Sequence, residues 1–221
     1  MVKRLLLCII AVVLMIVVNY EKLLSTNHKK IDSIEINDNT LEENVIDDNY
    51  LFIGNFYLED MSFDDLEFYK PYVKVTDSKL TSSMILENIK EDVYIYNPSH
   101  VFLQIGLEEL INEDEIDDII DKYYTIIESI QNKRSYAKIF VMSLFPINSN
   151  YDEYDSLSNE LIIQYNEKLK ELADLLNVKY VDLFHELSND NELDEKYSSD
   201  GIHLNTDGYH KIWKKIRKFI S

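Results

Sequence analysis

The stretch Ser199-Asp200-Gly201-Ile202-His203-Leu204-Asn205, running into Thr206-Asp207-Gly208-Tyr209-His210, decides how this chain is read. An Asp three residues before a His, with a glycine between them, lets the backbone turn until the carboxylate meets the imidazole. A carboxylate so placed orients a histidine and stabilises its charged form, which is how a general base is built. Downstream, Thr206 is positioned to cap a last helix carrying Ile212, Trp213, Ile216 and Phe219. Upstream, a polar loop over 187–199 leads back to an apolar run at 178–184 that reads as a strand.

Further upstream the same alternation repeats. Residues 158–176 place Leu161, Ile162, Tyr165, Leu169, Leu172 and Leu176 on one helical face. Residues 137–144 (AKIFVMSL) read as a strand, stopped by Pro146. A long acidic helix before it buries a stripe of Ile116, Ile119, Ile120, Tyr123, Tyr124, Ile126, Ile127 and Ile130. Two short apolar runs end in glycine, at 101–106 and 50–54, and residues 71–75 read as a shorter strand before helical spacing over 81–89. Strands alternating with helices predict right-handed parallel crossovers and a sheet of about five parallel strands covered on both faces. Ligands of such sheets bind beyond the carboxyl ends of the strands. Three of the chain's four glycines, Gly54, Gly106 and Gly201, fall at that rim.

The whole chain has 221 residues, 46% of them hydrophobic, enough for one α/β domain with a proper core. A formal net charge of −19 without a basic cluster in the sequence argues against a nucleic-acid partner. Cys8 is the single cysteine, which excludes an intrachain disulfide and a multi-cysteine metal site. Lys3 and Arg4 precede an unbroken apolar run over 5–18. Residues 1–20 as a helix would span ~30 Å, about one hydrocarbon thickness. The expectation is an uncleaved signal anchor over 1–20 with the bulk of the chain outside the cell membrane; a cleaved secreted form is the alternative. Residues 21–49 are polar and acidic and read as a linker, and 50–221 as the folded domain.

The order strand-Gly54-Asn55-Phe56, strand-Gly106-Leu107-Glu108-Glu109, then Asp200-Gly201-Ile202-His203 resembles the SGNH (GDSL-type) hydrolases, esterases and deacetylases. That resemblance implies a three-layer α/β/α, flavodoxin-like fold over roughly 50–221. In the family the first block reads Gly-Asp-Ser, with the serine as nucleophile, and here Phe56 stands at that place. The third block reads Gly-x-Asn-Asp, its asparagine donating to the oxyanion, and here Glu108 stands there. The second block supplies a glycine amide, and no glycine occurs between Val75 and Glu91. Asp200 and His203 alone carry over intact. Losing a catalytic serine costs about 10⁶-fold in turnover, and losing an oxyanion donor about 2.7–4 kcal/mol.

The expectation is therefore a domain that keeps a remnant Asp200–His203 dyad and binds a cell-envelope glycan or a protein partner. No cofactor and no metal is implied. The alternatives are an O-acyl esterase of envelope polysaccharide that uses the dyad, and a scaffold in which the cleft has no part. Phe56 either plugs the nucleophile position or offers a stacking platform for a sugar. Glu108, Glu109, Asp200 and His203 would make a cation site if the fold brought them together. His185 and His210 read as surface or packing residues.

Overall fold

The computed structural model describes residues 33–36, 49–148, 151, 154 and 156–220. The segment read as an anchor, 1–20, lies outside the described residues. Among those described, no helix is long and apolar enough to cross a membrane.

In chain order the elements are β1 (Ser33–Ile36), β2 (Tyr50–Gly54), α1 (Phe56–Glu59), β3 (Tyr72–Thr76), α2 (Ser82–Glu87), α3 (Ile89–Asp92) and β4 (His100–Gln104). Then come α4 (Leu107–Ile111), α5 (Ile116–Lys133), β5 (Lys138–Met142), α6 (Asn159–Leu175) and β6 (Lys179–Val181). The chain closes with α7 (Phe184–Leu187), a small hairpin of β7 (Ser188–Asn189) and β8 (Glu192–Leu193), and α8 (Thr206–Ile216). The main sheet runs β1-β3-β2-β4-β5-β6. Strands β2 to β6 pair in parallel throughout, which is the doubly wound order expected of the fold. At the sheet edge, beside β3, lies β1, within the stretch read as an acidic linker.

Register explains the core. Phe52, Phe102 and Phe140 are partners across β2, β4 and β5, and their rings stack at 4.8 and 4.5 Å. Period-2 alternation puts them on one face of the sheet. Phe63 and Phe68 extend that aromatic layer to Trp213 of α8, with ring centroids 5.6 and 5.2 Å away. Against the other side of the sheet α6 packs on β5 and β6, with α5 beside α6 and α2. Burial of this kind is worth about 25 cal/mol per Å² of apolar surface, and it supplies most of the drive for the fold.

Four expectations need correction. The strand read over 178–184 stops at Val181. The Ser143 hydroxyl captures the Leu183 and Phe184 amides at 2.8 and 2.9 Å, which lifts the chain out of the sheet into α7. The polar loop over 187–199 contains the β7–β8 hairpin. In α5 the buried stripe is Ile119, Tyr123, Ile126, Ile127 and Ile130, while Tyr124 is exposed and bonds to Glu128 one turn on. Finally, Asn205 rather than Thr206 caps α8: its side-chain oxygen accepts the Gly208 amide at 3.0 Å, and Thr206 is the first residue inside.

Candidate active site

The loop between β8 and α8 builds the Asp–His pair locally. Gly201 adopts φ +93°, a left-handed conformation that costs a residue with a Cβ strain. The turn folds the Asp200 carboxylate back on its own loop. One oxygen, Oδ1, accepts the amides of Ile202 (3.1 Å) and His203 (2.9 Å) and the Ser198 hydroxyl (3.2 Å). The other, Oδ2, lies 2.8 Å from His203 Nδ1. Burial pushes the Asp200 pKa up, but the two amides and the His203 ring outweigh it and hold the carboxyl at about 2. The carboxylate is therefore ionised at neutral pH and can only accept, so the shared proton sits on Nδ1 and Nε2 is left to take one. His203 is exposed. The pair has the geometry of an oriented base.

What faces this base is an aromatic ring. Where β2 ends at Gly54, Asn55 caps α1 by accepting the Tyr57 amide at 3.1 Å. The first residue of α1, Phe56, thus projects at the carboxyl end of the sheet. Its ring centroid is 4.8 Å from that of His203. The resemblance placed Phe56 at the nucleophile position, and the fold brings it to the histidine across the cleft. Ser62 is engaged elsewhere, accepting the Asp65 amide at 3.3 Å. Tyr57 turns inward against Phe145 and is fully buried. Burial, then repulsion from Tyr209, Tyr151 and Asp200, raises its phenol well above the ordinary tyrosine range. Among the described residues its hydroxyl has no hydrogen-bond partner.

On the neighbouring strand β4, the chain leaves through Gly106, the cap residue of α4, at φ +111°. A Cβ there would lie 2.3 Å from the Tyr165 hydroxyl, which bonds to the Ile105 carbonyl at 2.7 Å. Glu108 in the first turn of α4 is half-buried, with a long 3.5 Å contact from the Asn112 amide. Glu109 points the other way. It is buried and its Oε1 takes the Ser82 amide at 2.5 Å. Burial raises its pKa against the lowering effect of that amide. The proposed cation cluster of Glu108, Glu109, Asp200 and His203 is thus not assembled. Among the described residues no group of three or more His, Cys, Asp or Glu side chains is arranged to hold a metal.

Two features escaped the sequence reading. Ser198 supports the dyad, since its hydroxyl donates to Asp200 and accepts the Gly201 amide at 2.9 Å. A second Asp-x-x-His pair follows β6, with Asp182 Oδ2 2.7 Å from His185 Nδ1 and Oδ1 accepting the His185 amide at 3.1 Å. The repeated spacing at 182–185 was the signal for it. His210, as expected, is exposed on α8, its Nδ1 2.8 Å from the Thr206 carbonyl.

Comparison with known proteins agrees with the fold. The family described as GDSL-like Lipase/Acylhydrolase matches residues 76–211, which end beyond the Asp200–His203 block. A solved protein of Streptococcus pneumoniae named for platelet activating factor superposes with a TM-score of 0.74 at 22% identity, covering 96% of this chain and 99% of that one. A GDSL-like lipase of Bacteroides thetaiotaomicron gives 0.69 at 19% identity, covering 91% and 97%. At these identities the two structures show the fold alone. An N-acylneuraminate cytidylyltransferase of Escherichia coli is 24% identical over 134 residues, 60% of this chain and 30% of that protein's length. The chain thus spans under a third of that curated relative. With the family pattern running over more than half of its residues, the chain belongs to the GDSL-like lipase/acylhydrolase family.

Proposed function

We propose that this is a non-catalytic member of its family, held at the cell membrane by residues 1–20 and binding a cell-envelope glycan or protein partner outside. The observation that carries this is the Phe56 ring lying 4.8 Å from the His203 ring. With a phenyl ring where the family's serine would stand, that position offers the base no hydroxyl to activate, and acyl-enzyme formation needs one. Glu108 in the first turn of α4 adds negative charge on the side where an oxyanion would develop. Beside the Asp200 loop lies a cavity of about 380 Å³, bordered by Asn148, Glu195, Ser198, Ser199 and Asp200 among others. Carboxylate, hydroxyl and amide groups of that kind suit a polyhydroxyl ligand.

A second reading rests on the dyad itself. Asp200 and His203 are bonded and the histidine is open to solvent, so His203 could deprotonate water directly and make the chain an O-acyl esterase. Hydrolysis of a generic acetyl ester by the full chain separates the two. The variants are His203→Ala and the double variant Phe56→Ser, Glu108→Asn. The binding reading expects an inert wild type and a double variant that gains turnover. Wild-type hydrolysis abolished by His203→Ala would overturn it in favour of the esterase.

A further inference from the structure

The five parallel strands all begin at one end of the sheet, and the helices that return between them finish there. We propose that this amino end rests on an anionic lipid surface, with the Asp200–His203 cleft at the opposite end turned away from the bilayer. The proposal builds on the membrane reading given above.

Each segment that leads into β3, β4, β5 and β6, whether loop or helix end, exposes one large apolar side chain. They are Tyr69 (74% exposed), Ile95 (65%), Tyr136 (57%) and Leu175 (74%). Among the described residues only Tyr124 and Tyr154 are otherwise exposed large hydrophobics, so the exposed apolar surface is concentrated at one end. Cations accompany them. Lys70 precedes β3, Lys138 and Lys179 open β5 and β6, Lys133 ends α5, and Arg217 and Lys218 follow α8. Among the described residues, Glu67, Glu91, Asp92 and Asp174 share this end and are outnumbered there by the cations, in a chain of formal charge −19.

Cations at helix carboxyl ends also complement the helix dipole. That accounts for Lys133, Arg217 and Lys218, and Lys70 and Lys179 lie over the Tyr50 and Phe219 rings at 5.8 and 5.7 Å, but neither explains Lys138 or the four exposed apolar side chains. Aromatic and aliphatic groups mixed with Lys and Arg are what a bilayer interface accepts: the apolar parts enter the headgroup layer and the cations meet anionic lipid. Hydrogen bonds tie several of these loops together. Arg134 Nη2 donates to the Tyr94 carbonyl at 2.6 Å, and Gln131 Nε2 donates to the Leu176 carbonyl at 3.0 Å. Asn49 Nδ2 donates to the Tyr96 carbonyl at 2.9 Å, which marks this as the end where the chain enters β2. In sequence, the apolar run 5–18 precedes that point.

The test uses the full chain with vesicles of phosphatidylcholine alone or mixed with phosphatidylglycerol. Flotation is read together with amine labelling of individual lysines by mass spectrometry. The expected result is several-fold slower labelling of Lys70, Lys138, Lys179 and Lys218 with phosphatidylglycerol present, while Lys79 and Lys196 beyond the sheet label as before. Reversal of three charges, Lys138→Glu, Lys179→Glu and Lys218→Glu, should abolish the protection. Flotation with both vesicle types plus lipid-dependent protection supports both the face and the anchor. Flotation only with phosphatidylglycerol, with protection, supports the face and removes the anchor. Flotation with both and uniform labelling overturns the face and leaves the anchor standing. No flotation at all overturns both. Protection that appears without vesicles and grows with protein concentration assigns the face to self-association and overturns the proposal.

Discussion

Asp182–His185 and Asp200–His203 are built alike and each borders a cavity, but only His203 meets the Phe56 ring at the end of β2. In each, a carboxylate three residues ahead takes the histidine's own amide and approaches Nδ1, at 2.7 and 2.8 Å. The surroundings differ. Asp182 sits at a helical turn where Leu183 is buried and holds the loop to the core. Asp200 sits on a left-handed glycine, gathers a second amide from Ile202 and is propped by Ser198. The rings also meet different neighbours: His203 faces Phe56 from across the sheet, whereas His185 lies against the adjacent Phe184 at 5.5 Å. An Asp-x-x-His spacing makes an oriented imidazole anywhere; the strand end opposite it makes a site.

The largest expected contrast is catalytic. In the Phe56→Ser, Glu108→Asn background, adding His203→Ala should remove the acquired ester hydrolysis by ~10³-fold or more, while adding His185→Ala should leave it intact. Equal losses would erase the distinction between the pairs. Next come the residues inside each pair. Leu183→Ala empties a buried site (1% exposed) and should cost about 2–5 kcal/mol in urea denaturation. Gly201→Ala forces a Cβ into φ +93°, 3.1 Å from Tyr151 Cβ and 3.2 Å from Asn148 Cβ, and should cost about 1–3 kcal/mol. A reversed order would mean that the glycine turn, not the apolar peg, is the more rigid of the two.

The smallest effect is electrostatic. Asp200 is held at about 2, below the ordinary 3.8, so it stabilises the fold above pH 3.8 and loses that contribution as pH falls through 2. Its side chain is half exposed, and solvent screening limits the gain to ~1 kcal/mol or less. Asp200→Asn should therefore lower stability at pH 6 and converge with wild type near pH 2. Asp182→Asn should cost less at pH 6, because among the described residues Asp182 accepts one backbone amide rather than two.

Local chemistry was legible in the sequence. The strand Tyr50–Gly54 came out residue for residue because a buried apolar run ending in glycine leaves little choice. The Asp200–His203 bond needs only three residues and a turn. Contacts made by side chains far away were not legible. Nothing near Asp182 announces that the Ser143 hydroxyl ends β6, and no spacing reveals that Glu109 turns inward while Glu108 stays at the surface. The meeting of Phe56 with His203 was foreseen only through the family resemblance, since well over a hundred residues separate them in sequence.

The bond from Ser82 to Glu109 has a consequence in time. Its partners are 27 residues apart, so that amide stays open to solvent until both the α2 and α4 segments have docked. It is buried in the folded chain, and its hydrogen can exchange only when the two segments separate. The exchange rate of one backbone proton at Ser82 therefore counts the openings between α2 and α4.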